Sequence, residues 1–175
     1  RGNFGHNSTY GPSLSLDPPT DPPTDPPPPD VPPADDFPAT RYTPGAVALG
    51  GTSTGSLESA GDRDWFAVSL QAGARYLFAL EGAASGDGTL ADPSLRLLSS
   101  AGGLLASNDD ADGSTNARIA YTATSTGTLY LEASSAIAGG TGSYRVGAQR
   151  DLSNRAPVAG PDAYTTGENS SISGN

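Results

Sequence analysis

Short runs of alternating apolar and polar residues recur from Asp35 to Gln149 and restrict this stretch to β-structure. Clusters of Gly, Asn, Asp and Ser separate the runs, and no segment carries the apolar stripe of an amphipathic helix. Regular short strands without intervening helices predict an all-β fold, an antiparallel β-sandwich or jelly roll of about eight strands. The predicted strands lie near Gly55–Glu58 and at Trp65–Leu70, Arg75–Leu80, Ser94–Leu98, Gly103–Ala106, Ala117–Tyr121, Thr128–Glu132 and Ser143–Val146.

The inward positions of these strands supply aromatic and aliphatic side chains for a core. Trp65, the single tryptophan, starts a strand, and we expect it to pack in the core or to cover its rim rather than to serve as a ligand platform. The predicted core consists of Phe66, Val68, Leu70, Tyr76, Phe78, Leu80, Ile119, Tyr121, Leu129 and Leu131.

The regions outside the predicted sandwich differ from it in composition. Ten of the sixteen prolines fall within 17–33, interleaved with Asp, which predicts a disordered, extended polyproline spacer without a fold of its own. The predicted organisation is the tail of a preceding domain at 1–16, a Pro/Asp-rich linker at 17–34, the β-sandwich at 35–149, and a linker with the start of another domain at 150–175. Because Met is absent, we expect the sequence to be a piece of a longer polypeptide.

This organisation predicts that 1–33 adds almost nothing to folding stability. Deleting it should leave the melting temperature within about two degrees, because removing solvated chain removes no buried apolar area. Thermal unfolding of the chain with and without this segment measures the difference. A large drop would mean that the segment packs on the sandwich.

Composition also narrows the function classes. Cys is absent and His6 is the single histidine, which excludes thiolate metal sites, a thiol nucleophile and a multi-histidine zinc site within this sequence. The net charge of −10 argues against nucleic acid and anionic membranes as partners, and suits a metal cation. The sequence also lacks a nucleophile elbow, a zinc-protease motif, a phosphate loop and an apolar run long enough to insert in a membrane. Paired carboxylates could serve a glycosidase, but a small domain poor in Trp favours a non-enzyme.

Three acidic clusters could hold a cation: Asp35–Asp36, the pair Asp62 and Asp64, and the loop 108–113. The loop matches the first half of a calcium loop, with a Gly at its sixth position. It has Ile119 where an EF-hand has its last Glu, so another segment would have to complete the shell. The alternative is a plain solvated turn, which Asn, Asp and Gly also favour. The candidate ligands in and near this loop are Asn108, Asp109, Asp110 and Asp112, with Asp92 and Asp87 as candidates to complete the shell.

The sequence resembles the bacterial pre-peptidase C-terminal domain over roughly 35–149. The motifs that carry the resemblance occur in the expected order and lie at 61–68, 72–78, 88–97, 105–110, 125–131 and 140–144. Separately, 154–166 resembles the opening of a cadherin-like repeat of large bacterial surface proteins.

The first resemblance implies a secreted β-sandwich appended to subtilisin-like, serralysin-like and other metallopeptidases, and also found in RTX-type adhesins. Related collagen-binding domains of bacterial collagenases bind calcium between an acidic linker and an Asp-x-Asp before an aromatic strand. The matching positions here are Asp35, Asp36, Asp62 and Asp64, although Ala34 and Phe37 flank the first pair where the relatives have a Glu-Pro-Asn-Asn type stretch.

We therefore expect a non-catalytic, calcium-stabilised accessory module of a secreted or surface bacterial protein, with neighbouring domains of the same chain as its partners. The alternatives are a module that binds an extracellular carbohydrate or fibrous protein through a sandwich face, and a fragment of a protease whose active site lies upstream.

Overall fold

Two four-stranded antiparallel sheets form the fold, as seen in a computed structural model that describes residues 33–153. Their strand orders are β1-β8-β3-β6 and β2-β7-β4-β5, which confirms the predicted antiparallel β-sandwich of eight strands. The strands are β1 (Gly51–Leu57), β2 (Asp64–Leu70), β3 (Arg75–Glu81), β4 (Pro93–Leu98), β5 (Leu104–Asn108), β6 (Ala117–Thr122), β7 (Gly127–Ser135) and β8 (Gly142–Arg150). A short 3-10 helix spans Ala83–Ser85, and no helix in the described part of the chain could cross a membrane.

Every predicted strand is present, but β1 starts four residues earlier than expected and ends before Glu58. Its sequence is mostly Gly, Ser and Thr, so hydrophobicity marks it poorly. Its bounds follow from its partner, because β1 pairs with β8 over its whole length. The predicted tail at 1–16, most of the Pro/Asp-rich linker and the cadherin-like segment at 154–166 lie outside the described residues.

The core lies between the sheets and contains most of the predicted side chains. Tyr121 and Leu129 are only partly buried and pack against its edge. Trp65 lies outside the core, contrary to one expectation: its neighbour Phe66 points inward, so the alternation of the strand directs Trp65 to the outer face. The core also includes Leu57, Leu90, Leu95, Leu97, Tyr144 and Val146, which the sequence analysis had not assigned to it.

The segment before β1 is anchored along β2. The Phe37 ring lies 4.7 Å from the Phe66 ring, centroid to centroid. Further along, Ala46 forms a parallel bridge with Ala67. This anchoring fixes the chain just after the two acidic residues that precede Phe37, and so brings them to the end of the sandwich where β1 ends and β2 begins.

Candidate metal centre

Five carboxylates from three chain segments converge at this end of the sandwich. Oxygens of Asp35, Glu58 and Asp62 lie within 4.8 Å of one another, and so do oxygens of Asp35, Asp36 and Asp64. We call these five residues the acidic cluster. Among the residues that the structure describes, it is the one place where three or more metal-ligating side chains approach this closely.

Asp64 is the most buried member of the acidic cluster, with no exposed surface. Its Oδ2 accepts a hydrogen bond of 2.5 Å from the Tyr144 hydroxyl, while its Oδ1 is buried without a hydrogen-bond partner among the described residues. Burial raises the pKa of Asp64 to about 8, with the Tyr144 hydrogen bond lowering it and the charges of Asp36, Asp62 and Glu58 adding to the rise. A carboxylate so placed is costly unless a proton or a cation accompanies it.

The glycine at position 55 makes room for that hydrogen bond. Gly55 pairs with Tyr144 across β1 and β8. A Cβ at Gly55 would clash with the phenol of Tyr144, lying only 2.7 Å from its Cζ. Because the fully buried ring has little space to move, this glycine is part of how Tyr144 reaches Asp64.

Glu58 follows β1 directly and turns its carboxylate into the acidic cluster. Its Oε2 is also buried without a hydrogen-bond partner among the described residues. Burial raises the pKa of Glu58 to about 7, reinforced by its hydrogen bond with Asp62 and by the charge of Asp36.

The remaining members are held by backbone hydrogen bonds. Asp62 accepts from the N–H groups of Glu58 and Arg63, at 2.9 and 2.7 Å. Asp36 accepts from the Ser56 N–H at 3.1 Å, and burial, opposed by that hydrogen bond, raises its pKa. Asp35 accepts from the Phe37 N–H at 3.0 Å, so a backbone hydrogen bond positions each of these three carboxylates.

This arrangement favours a hard divalent cation. Unit charges about 4 Å apart repel by roughly 4 kcal/mol at an effective dielectric near 20, so five gathered carboxylates need protons or an ion. The two unpartnered oxygens, on Glu58 and Asp64, are available as ligands. An all-oxygen donor set suits calcium better than zinc or copper.

The second set of predicted ligands consists of the loop 108–113 with Asp92 and Asp87. These residues do not converge as those of the acidic cluster do. Asn108 uses its amide within its own loop and β6: Nδ2 donates to the Asp110 carbonyl and Oδ1 accepts from the Arg118 N–H, both at 2.8 Å. Asp112 is in the left-handed region with φ of 56°, and its exposed carboxylate lies 3.9 Å from Arg118.

Asp92 lies near this loop, whereas Asp87 does not contribute to it. Burial raises the pKa of Asp92, and the charges of Asp110 and Asp109 raise it further. Its Oδ1 has no hydrogen-bond partner among the described residues. Asp87 instead accepts from Arg145 at 2.8 Å. No three of these carboxylates come as close together as those of the acidic cluster, and cation binding by this second set stays a prediction.

Residues 62–135 match the family model of the bacterial pre-peptidase C-terminal domain. The matched stretch runs through β2 to β7 and includes Asp62 and Asp64, whereas Asp35, Asp36 and Glu58 precede it.

Several solved structures are similar to this chain, and two of them match over 60% of its length. One is the pre-peptidase C-terminal domain of a collagenase from Bacillus anthracis, which is 18% identical, is covered over 93% of its chain and gives a TM-score of 0.44. The other is PliG from Aeromonas hydrophila, a periplasmic inhibitor of g-type lysozyme, which is 10% identical, is covered over 96% and gives a TM-score of 0.39. No curated protein matches the sequence.

Two residues at this site, Glu58 of the acidic cluster and Tyr144 beside it, were not predicted from the sequence. Glu58 was assigned to a strand, and Tyr144 to another, without a role at the site. A Glu four residues before Asp62 in a turn was a signal for the first. No local pattern pointed to Tyr144, because its pairing with Asp64 joins residues 80 positions apart.

Proposed function

We propose that residues 33–153 form a non-catalytic, calcium-binding accessory module of a secreted or surface-exposed bacterial multidomain protein, either a peptidase or an RTX-type adhesin. The match to the pre-peptidase C-terminal domain supports the accessory role. The module would present or space a neighbouring domain of the same chain.

One observation carries the calcium proposal: the acidic cluster contains two buried carboxylate oxygens without hydrogen-bond partners. Calcium takes six to eight oxygen ligands and tolerates irregular geometry, so it suits carboxylates from three segments. Since Asp35 and Asp36 come directly after the Pro/Asp-rich stretch, ion binding would fix the start of the domain and direct the linker before it.

Thermal unfolding of the full chain tests the proposal. Millimolar calcium should raise the melting temperature by several degrees over the value in chelator, because an ion that binds only the folded state stabilises it by about 1–2 kcal/mol at tens of times its Kd. Asp62→Asn and Asp64→Asn should each remove most of that gain.

The matched control is Asp112→Asn, which removes the same charge from the exposed loop after β5. It should keep the full calcium effect. Equal melting curves in calcium and in chelator would contradict calcium binding altogether. A gain that disappears only in Asp112→Asn would place the ion at the loop and refute the assignment to the acidic cluster.

A further inference from the structure

The outer face of the β2-β7-β4-β5 sheet carries a buried carboxylate bound by three donors. Trp65, Glu132 and Arg96 are cross-strand neighbours in one row over β2, β7 and β4. Glu132 is only 3% exposed. It accepts hydrogen bonds from Arg63 Nη1 at 2.5 Å, Arg96 Nη1 at 2.8 Å and Trp65 Nε1 at 2.8 Å. The carboxylate thereby fixes the positions of an indole and two guanidinium groups.

Further aromatic groups adjoin this row. The Trp65 and Tyr130 rings lie 5.4 Å apart, centroid to centroid, and both are partly exposed. The Tyr130 hydroxyl donates to the Arg41 carbonyl at 3.1 Å. The Arg41 guanidinium lies 4.9 Å from the centre of the Tyr42 ring, which is 77% exposed. We call Arg41, Tyr42, Arg63, Trp65, Arg96 and Tyr130 the arginine–aromatic face.

The charge of this face is opposite to that of the whole chain. The sequence has a net charge of −10, yet two of its nine arginines meet at Glu132, and the backbone of a third, Arg41, contacts the adjoining Tyr130. The side chains of Arg63 and Arg96 are 49% and 33% exposed. Each guanidinium carries five N–H donors, so both keep donors directed away from Glu132.

We propose that the arginine–aromatic face binds an acidic polysaccharide that carries uronate carboxylates. The partly exposed rings of Trp65 and Tyr130 and the exposed ring of Tyr42 offer flat apolar surface to the C–H face of a sugar ring. The guanidinium groups offer forked donors to its carboxylates. An acidic peptide would supply the charge but not the flat ring, so the pairing of aromatic with arginine favours the polysaccharide.

Trp65 makes the binding directly measurable, because it is the single tryptophan of the chain. Its fluorescence should change saturably when a hyaluronan oligosaccharide is titrated into the full chain at low ionic strength. A neutral dextran oligosaccharide of the same length should have little effect, and poly-glutamate should bind more weakly than hyaluronan.

Paired variants test the role of the arginines. Arg41→Gln combined with Arg63→Gln should weaken hyaluronan binding about tenfold, because an exposed ion pair contributes up to about fivefold. Glu132 keeps Arg96 and Trp65 as donors in this double variant. Arg150→Gln is the control, since Arg150 is exposed at the end of β8 in the other sheet, and it should change the affinity less than twofold.

Three results would overturn the proposal. They are a Trp65 fluorescence that does not respond to hyaluronan, equal losses of affinity in the double variant and in Arg150→Gln, and tighter binding of poly-glutamate than of hyaluronan. Melting curves of each variant confirm that it is folded. Failure of the calcium proposal would leave this one intact, because none of the six residues belongs to the acidic cluster.

Discussion

Without calcium, the domain is expected to lose stability as the pH rises from 5 to 8, and millimolar calcium should offset part of that loss. The reason is a pair of carboxyls, on the buried Asp64 and the half-buried Glu58, whose pKa values lie near 8 and 7. Both values are above those of the unfolded chain, so the folded protein holds protons that the unfolded chain has already released.

The direction of the effect follows from this proton difference. A carboxyl whose pKa is raised on folding stabilises the folded protein fully when the pH is below its pKa in the unfolded chain. This stabilisation is lost as the pH rises through its pKa in the folded protein. Where the folded protein binds one proton more than the unfolded chain, a rise of one pH unit lowers the free energy of unfolding by about 1.4 kcal/mol. For Asp64 and Glu58 the loss falls between about pH 4 and 8. Asp151, whose pKa is lowered by hydrogen bonds from Ser153 and Arg75, contributes to the pH dependence of stability only at more acidic pH.

Melting curves of the calcium-free chain across this pH range, repeated in calcium, measure the effect. Asp64→Asn is the informative variant, because the amide can still accept from the Tyr144 hydroxyl but does not ionise. It should flatten the pH dependence and, in chelator at pH 8, should melt above the unsubstituted chain. A calcium-free melting temperature that is flat or rises toward pH 8 would contradict the assignment of the protons.

Gly55→Ala is expected to destabilise the domain by about 2–4 kcal/mol, which corresponds to a drop in melting temperature of roughly 10 °C. The new methyl would meet the Tyr144 phenol. Moving that ring costs core packing and separates its hydroxyl from Asp64, whose second oxygen already has no partner among the described residues. Chemical denaturation of the calcium-free chain gives the free energy of unfolding.

Gly147→Ala is the matched control, since it makes the same change in the same sheet. A Cβ at Gly147 would lie 3.6 Å from Thr52 Cγ2, an ordinary van der Waals contact. We expect its effect to stay within about 1 kcal/mol. Similar losses in the two variants would show that the requirement at Gly55 is a general strand effect, independent of Tyr144.

The sheet architecture could be predicted from the sequence because it depends on the alternation of apolar and polar residues within each strand. Phe66, Val68 and Leu70 show the inward side of β2 without knowledge of its partners. β1 was placed less well, because its Gly, Ser and Thr residues carry little hydrophobic signal and pairing with β8 defines its bounds.

The candidate site could be predicted only in part, because some of its residues come together only in the folded chain. Asp62 and Asp64 form one local motif and Asp35–Asp36 another, and the family resemblance predicted that the two pairs share a site. Glu58 and Tyr144 join the site only through tertiary contacts. In the loop after β5, the calcium-like spacing was visible, but the engagement of Asn108 by its own loop and by Arg118 was not.

Calorimetric titration of the folded chain with calcium measures whether the acidic cluster binds the ion. Near pH 7 we predict saturable binding that releases protons from Asp64 and Glu58, seen as a heat that depends on the ionisation enthalpy of the buffer. Asp64→Asn should weaken the binding and reduce the proton release. Absence of saturable binding at millimolar calcium, or equal binding by the chain and by Asp64→Asn, would contradict calcium binding by the acidic cluster.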